Sequence, residues 1–367
     1  MKIVDIRLGL LRTPLKTPFV TALRRVEAAE DIVVAIQSDD GRFGYGSTTA
    51  TAAITGDTHS SIVAAIRHYI RPRLIGQDVD DLNHALGLVQ NALERNGSAK
   101  AAVEIALHDL WAQRHGAPLY RLLGGGTPTL STDITISVDS IDKMVADALS
   151  AIERGYTALK IKLGKDGAQD IERVRQIHAA VAGRASLRLD PNQAWTPKQA
   201  VRTMQALEDS GIAPELLEQP VKAHDIAGLR FVSERIATPV LADESVFDAA
   251  QAVELIRTRS ADLLNIKLMK AGGISGALRI AEVAAAFGVE CMIGCMLEGP
   301  ISVAAAAHLA AANSATITKV DLDGPALCAS IPVESGTHFS GSRIDIDESP
   351  GLGIRAIHGL EPLLEPT

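Results

Sequence analysis

The chain has 367 residues, of which 47% are hydrophobic, 22% charged and 3% aromatic, with a formal net charge of −8. Such a length suits one large domain and a smaller companion around a sizeable core. An acidic balance and few aromatics argue against nucleic acid, whose phosphates need clustered Lys and Arg and whose unpaired bases need stacking rings; a small-molecule ligand is expected.

In chain order, KIVDIRLGLLR (2–12) and DIVVAIQSDDGRFGYG (31–46) read as strands with a hairpin at Asp39-Asp40-Gly41. The glycines of GRFGYG lie in that hairpin rather than in a dinucleotide fingerprint. Asp5 and Arg7 fall where a signal peptide would be apolar, and VAAAAHLAAA (303–312) is too short to cross a bilayer, so a cytoplasmic protein is expected. SSIVAAIRHYIRPRL (60–74) and SAKAAVEIALHDLWAQRHG (98–116) carry helical spacing, the second with Ser98 at its N-cap. GGGTP (124–128) punctuates the chain. The division expected is an α+β capping domain at 1–124, a barrel at 125–326 and a segment at 327–367 that packs back towards the cap.

Beyond Gly126, short apolar runs alternate with amphipathic helices: LSTDITISV, TALKIKLG, ASLRLDPN, PELLEQP, TPVLADES, ADLLNIKLM, VECMIGCM and TITKVDLD. Eight strands with intervening helices predict parallel βαβ units closed into a TIM-like barrel, with a doubly wound sheet as the alternative. Cys291, Cys295 and Cys328 form an odd set without secretory context and read as apolar thiols; a zinc role for Cys291 and Cys295 lacks nearby His ligands. AGGISG (271–276) reads as a tight turn, with phosphate binding as the alternative.

Charged residues close these strands: Lys162, Asp190, Glu218, Asp243, Lys267 and Asp321. The first five are separated by 28, 28, 25 and 24 residues, about one strand plus one helix each, which brings them to one rim. Parity agrees, since Leu159, Ile161 and Leu163 share one face of their strand while Lys160 and Lys162 share the other. Buried charges must satisfy one another or bind something. Asp190, Glu218 and Asp243 form an all-oxygen set suited to Mg²⁺. Lys160 and Lys162, as like charges, are expected to lower each other's proton affinity, making a neutral Lys162 attainable as a base. Bases on both sides of a bound carboxylate suit racemisation or epimerisation. General-base catalysis supplies roughly 10²–10⁴-fold, so an α-proton this weakly acidic also needs electrostatic stabilisation.

KIK (160–162), LDPNQAW (189–195), EQP (218–220), DES (243–245) and NIKLMKAGG (265–273) resemble, in order, the strand-end motifs of the enolase superfamily in its muconate-lactonising branch. The resemblance implies a (β/α)₇β barrel beneath an α+β cap, Mg²⁺ on Asp190, Glu218 and Asp243, acid/base lysines at 162 and 267, and Lys160 assisting. Lys at 267 disfavours the mandelate-racemase branch, and His108–Asp109 lies in a cap helix. VDLDGP (320–325) is similar to the feature with which dipeptide epimerases bind an α-ammonium group, implying Asp321 and Asp323. TALRRVEAAED (21–31) resembles the cap loop of L-Ala-D/L-Glu epimerases, implying Arg24 for a side-chain carboxylate, with Arg25 a second candidate. Glu298 is a further candidate substrate contact that would favour cations.

The implied function is Mg²⁺-dependent epimerisation of a dipeptide at its C-terminal residue, in murein-peptide metabolism, by a possible homo-oligomer. N-acylamino-acid racemase, o-succinylbenzoate synthase and muconate cycloisomerase are rivals within the branch. A catalytically silent metal- or peptide-binding barrel is the rival of another class.

Overall fold

The structure, a computed structural model, describes residues 1–20, 25–164 and 167–364. The cap sheet is antiparallel and runs in the order Glu361–Pro362, Ile3–Val20, Arg25–Ser38, Phe43–Thr49. The last two strands meet through the hairpin read from Asp-Asp-Gly, with Gly41 at φ +86°. Helix Gly97–Arg114 lies on this sheet and is buried along most of its length. Gly44 and Gly46 allow the close approach: a Cβ at Gly46 would stand 2.0 Å from the Ala102 carbonyl oxygen.

One cap expectation is corrected. The N-cap of that helix is Asn96 in the left-handed region, while Ser98 lies inside and gives its backbone N–H to Asp57 at 3.1 Å. The segment with helical spacing at 60–74 is helical throughout, with a π stretch at Ala65–Ile70 between α segments at His59–Ala64 and Arg71–Leu74.

Eight parallel strands form the second sheet in sequential order: Ile134–Ile136, Ala158–Lys162, Ser186–Asp190, Leu216–Glu218, Val240–Ala242, Leu263–Ile266, Glu290–Gly294 and Ile317–Asp321. Outward side chains such as Leu159, Ile161 and Leu189 join the surrounding helices in one core, as period two requires. Inside, Leu216, Leu241, Leu263 and Met292 form a small apolar layer. Two residues beyond Leu216, Leu241 and Leu263 stand Glu218, Asp243 and Asn265, so polar groups lie above this floor at the strands' C-terminal ends, while Met292 is followed by Gly294.

The first and eighth strands meet across a seam closed largely by side chains. Asp133 N–H reaches Val320 O at 3.3 Å, Leu322 N–H reaches Thr132 Oγ1 at 2.8 Å, and Thr135 N–H reaches Asp323 Oδ2 at 2.7 Å.

Candidate active site

Lys160, Lys162, Asp190, Glu218, Asp243, Lys267, Asp321 and Asp323 converge at the C-terminal mouth, each at most 6% exposed. Lys160 Nζ stands 2.7 Å from Asp321, 2.8 Å from Glu218 and 3.4 Å from Asp190. Lys162 pairs with Asp190 at 2.5 Å. Across the barrel, Lys267 pairs with Asp243 at 2.7 Å. Thr135, Lys162, Asp243, Lys267, Asp321 and Asp323 share one cavity wall, and Phe19, Ile54 and Leu297 give it an apolar side. Ala53 and Ile54 bring the 49–61 stretch to this cavity, a contact its sequence does not specify.

For Lys160 the expected lowering is overturned. Burial pulls Lys160 down, but Asp321, Glu218, Asp190 and Asp133 outweigh it and hold its amine well above the usual lysine range. Lys267 is likewise raised, burial being overcome first by Asp243. The sequence displays the neighbouring lysine on the same strand; the folded site adds acids from other strands at shorter range. Burial also raises Glu218, to about 7, against the pull of Lys160, and the like charges of Asp190 and Asp243 add to the rise. Asp190 is lowered, because Lys162 and Lys160 overcome its burial.

Glu218 Oε2, Asp243 Oδ1, Asn192 Oδ1 and both Glu244 oxygens are buried without a hydrogen-bond partner. The first two do have amines within 2.8 Å, Lys160 and Lys270, at angles that make ion pairs without hydrogen bonds. Carboxylate and amide oxygens free of hydrogen bonds are the type of donor that a hard divalent cation takes, so the chemistry of these residues fits Mg²⁺. Among the described residues, the acids that bring one oxygen each within 4.8 Å of one another are Asp133, Asp321 and Asp323. In the first set, lysine amines stand between the carboxylates.

Several further residues complete the site. Lys270 donates to the main-chain oxygens of Asp243 and Asn265, and Asn265 donates to Glu218 at 3.0 Å. Gln219, at φ +33°, accepts from the N–H groups of Asp243 and Ser245 and donates to Val221 O. Strained backbone of this kind persists where the surroundings over-determine it. Arg188 lies beneath the rim, donating to Asp133 at 2.7 Å and Glu215 at 2.6 Å.

Other readings place differently. Arg24 lies outside the described residues, and Arg25 is exposed beside Glu27 at 3.7 Å. Glu298 is buried behind the cavity wall, where it accepts from Met296 N–H and faces Asp31. Asp323 lies just past the eighth strand, at the start of the turn Gly324–Leu327, rather than on the strand with Asp321. Asp109 accepts from the N–H groups of Tyr45 and Leu352 as a cap tie. The turn at 271–276 has Gly272 and Gly273 at positive φ, and Glu104 occupies the following helix start through Ser275 N–H and Oγ. All three cysteines are free. No helix among the described residues is long and apolar enough to cross a membrane.

Residues 4–124 match the family model described as mandelate racemase/muconate lactonizing enzyme, N-terminal domain, and residues 143–357 match the enolase C-terminal domain-like model. The chain belongs to this enolase-superfamily family. It is 49% identical to the L-Ala-D/L-Glu epimerase of Clostridium acetobutylicum, over 98% of this chain and 100% of that protein. The hydrophobic dipeptide epimerase of Enterococcus faecalis is 40% identical, over 96% of this chain and 99% of that one. A substrate-liganded structure of the L-Ala-D/L-Glu epimerase from Bacillus subtilis superposes with TM-score 0.95 at 48% identity, covering 97% of this chain and 99% of that chain. The E. faecalis enzyme complexed with Mg and L-Leu-L-Tyr superposes with TM-score 0.93 at 40% identity, covering 97% of this chain and 100% of that one.

Proposed function

We propose that the chain is a Mg²⁺-dependent dipeptide epimerase acting at the α-carbon of the C-terminal residue, with L-Ala-D/L-Glu as its substrate pair. The observation that carries the reading is the placement of Lys162 and Lys267 on the second and sixth strands, on opposite sides of one cavity walled by both.

In this reading Asp190, Glu218 and Asp243 would hold Mg²⁺. Bound there, the ion supplies positive charge that offsets the three acids, lowers the proton affinity of the lysines and stabilises negative charge developing on the substrate. One lysine takes the α-proton and the other returns a proton to the opposite face, so the configuration inverts. Lys160 adds a fixed cation on the Lys162 side. Asp321 and Asp323 accept from the α-ammonium group, which N-acylated substrates of the rival activities lack. The relatives' names favour Glu in the C-terminal position.

Incubating the protein with Mg²⁺ and L-Ala-L-Glu in D₂O tests this. The expected result is deuterium at the Glu α-position together with L-Ala-D-Glu; a dipeptide panel showing neither exchange nor inversion refutes it.

A further inference from the structure

The seam between the first and eighth strands holds a third buried carboxylate, Asp133, that the reading above does not use. Asp133, Asp321 and Asp323 are 1%, 3% and 5% exposed, and one oxygen from each lies within 4.8 Å of the others. Their compensation is shared. Arg188 divides its guanidinium between Asp133 and Glu215, and Lys160 divides its amine among Asp321, Glu218 and Asp190. Asp323 accepts from Thr135 N–H, whereas Asp133 Oδ1 is buried with no hydrogen-bond partner. Three carboxylates facing two shared cations leave room for one more positive charge, and a primary ammonium has three N–H donors.

We propose that Asp133 is the lower tier of the α-ammonium site: a positioning residue that, from beneath the cavity floor, sets the charge and orientation of Asp321 and Asp323 and so selects dipeptides with a free amino terminus. The proposal rests on the epimerase reading for its substrate class. It follows from seam geometry, because the backbone tie of Asp133 to Val320 fixes the two strands side by side.

Calorimetry on the full chain with Mg²⁺ tests it, comparing L-Ala-L-Glu with N-acetyl-L-Ala-L-Glu for the native protein, Asp133→Asn and Asp133→Glu. Asp133→Asn should weaken the free-amine dipeptide about tenfold and change the acetylated one less than twofold, and Asp133→Glu should recover most of the loss. Should Asp133→Asn fail to fold, Asp133→Ser makes the same charge change with less bulk and is read in the same way. Equal weakening of both ligands, no change in either, or loss of Mg²⁺ binding instead would overturn the proposal. Its failure is distinct from that of the epimerase reading: absent α-deuteration by the native protein refutes the latter, while the ratio of the two affinities still judges Asp133.

Discussion

Two sets of three acids occupy the same barrel mouth and differ in what separates their members. Asp190, Glu218 and Asp243 end consecutive strands and are interleaved with the amines of Lys160, Lys162, Lys267 and Lys270. Asp133, Asp321 and Asp323 gather across the seam, where a main-chain N–H and two shared cations hold them close. The same side-chain chemistry thus provides two grips. One set has a lysine amine beside each of its three carboxylates. The other is crowded with acceptors, suited to an ammonium group.

The largest effect that would sharpen the contrast is loss of the first grip. Glu218→Gln should lower α-exchange by more than about 10³-fold, and chelation by EDTA should do the same reversibly, with Mg²⁺ restoring it. Asp321→Asn should raise KM for L-Ala-L-Glu by about 10–100-fold while leaving the Mg²⁺ affinity unchanged, as charge-assisted hydrogen bonds of this kind are worth roughly 1.5–3 kcal/mol. If Asp321→Asn instead abolishes Mg²⁺ binding, the two sets are one site and the comparison breaks.

Away from the mouth, His308 is held by burial at about 3 while accepting from Tyr120 N–H at 3.0 Å. An unfolded histidine gains its proton near pH 6.5, so this group's stabilisation is present above that pH and is lost as pH falls towards 3. Urea melts at pH 7 and pH 4 should show His308→Asn with a smaller acid-induced loss than the native protein, by about 3 kcal/mol. Gly46→Ala, placing a Cβ 2.0 Å from the Ala102 oxygen, should cost about 1–3 kcal/mol by the same melts at pH 7.

The strand-end set was legible because regular spacing and period-two parity project directly onto a barrel rim. Lys162, Asp190, Glu218, Asp243 and Lys267 each end or follow a strand whose apolar partners mark its register. The seam was not legible. Asp133 precedes a strand of only three residues, and its partners, Arg188 and Val320, come from the third and eighth strands. Lys270 and Gln219 were missed because they act through main-chain atoms of residues 243, 245 and 265, which leave no pattern in spacing. The lowering expected of Lys160 was misread for a related reason: a strand shows its own charges, while the acids that raise Lys160 arrive from four other positions.

The central claim, two lysines working from opposite sides of one α-carbon, is tested most directly by following deuterium uptake separately in L-Ala-L-Glu and L-Ala-D-Glu with Lys162→Ala and Lys267→Ala. Each variant should lose inversion by roughly 10²–10⁴-fold yet retain exchange from only one epimer, a different one in each case. Exchange retained equally in both epimers by either variant, or abolished in both by only one of them, would contradict it.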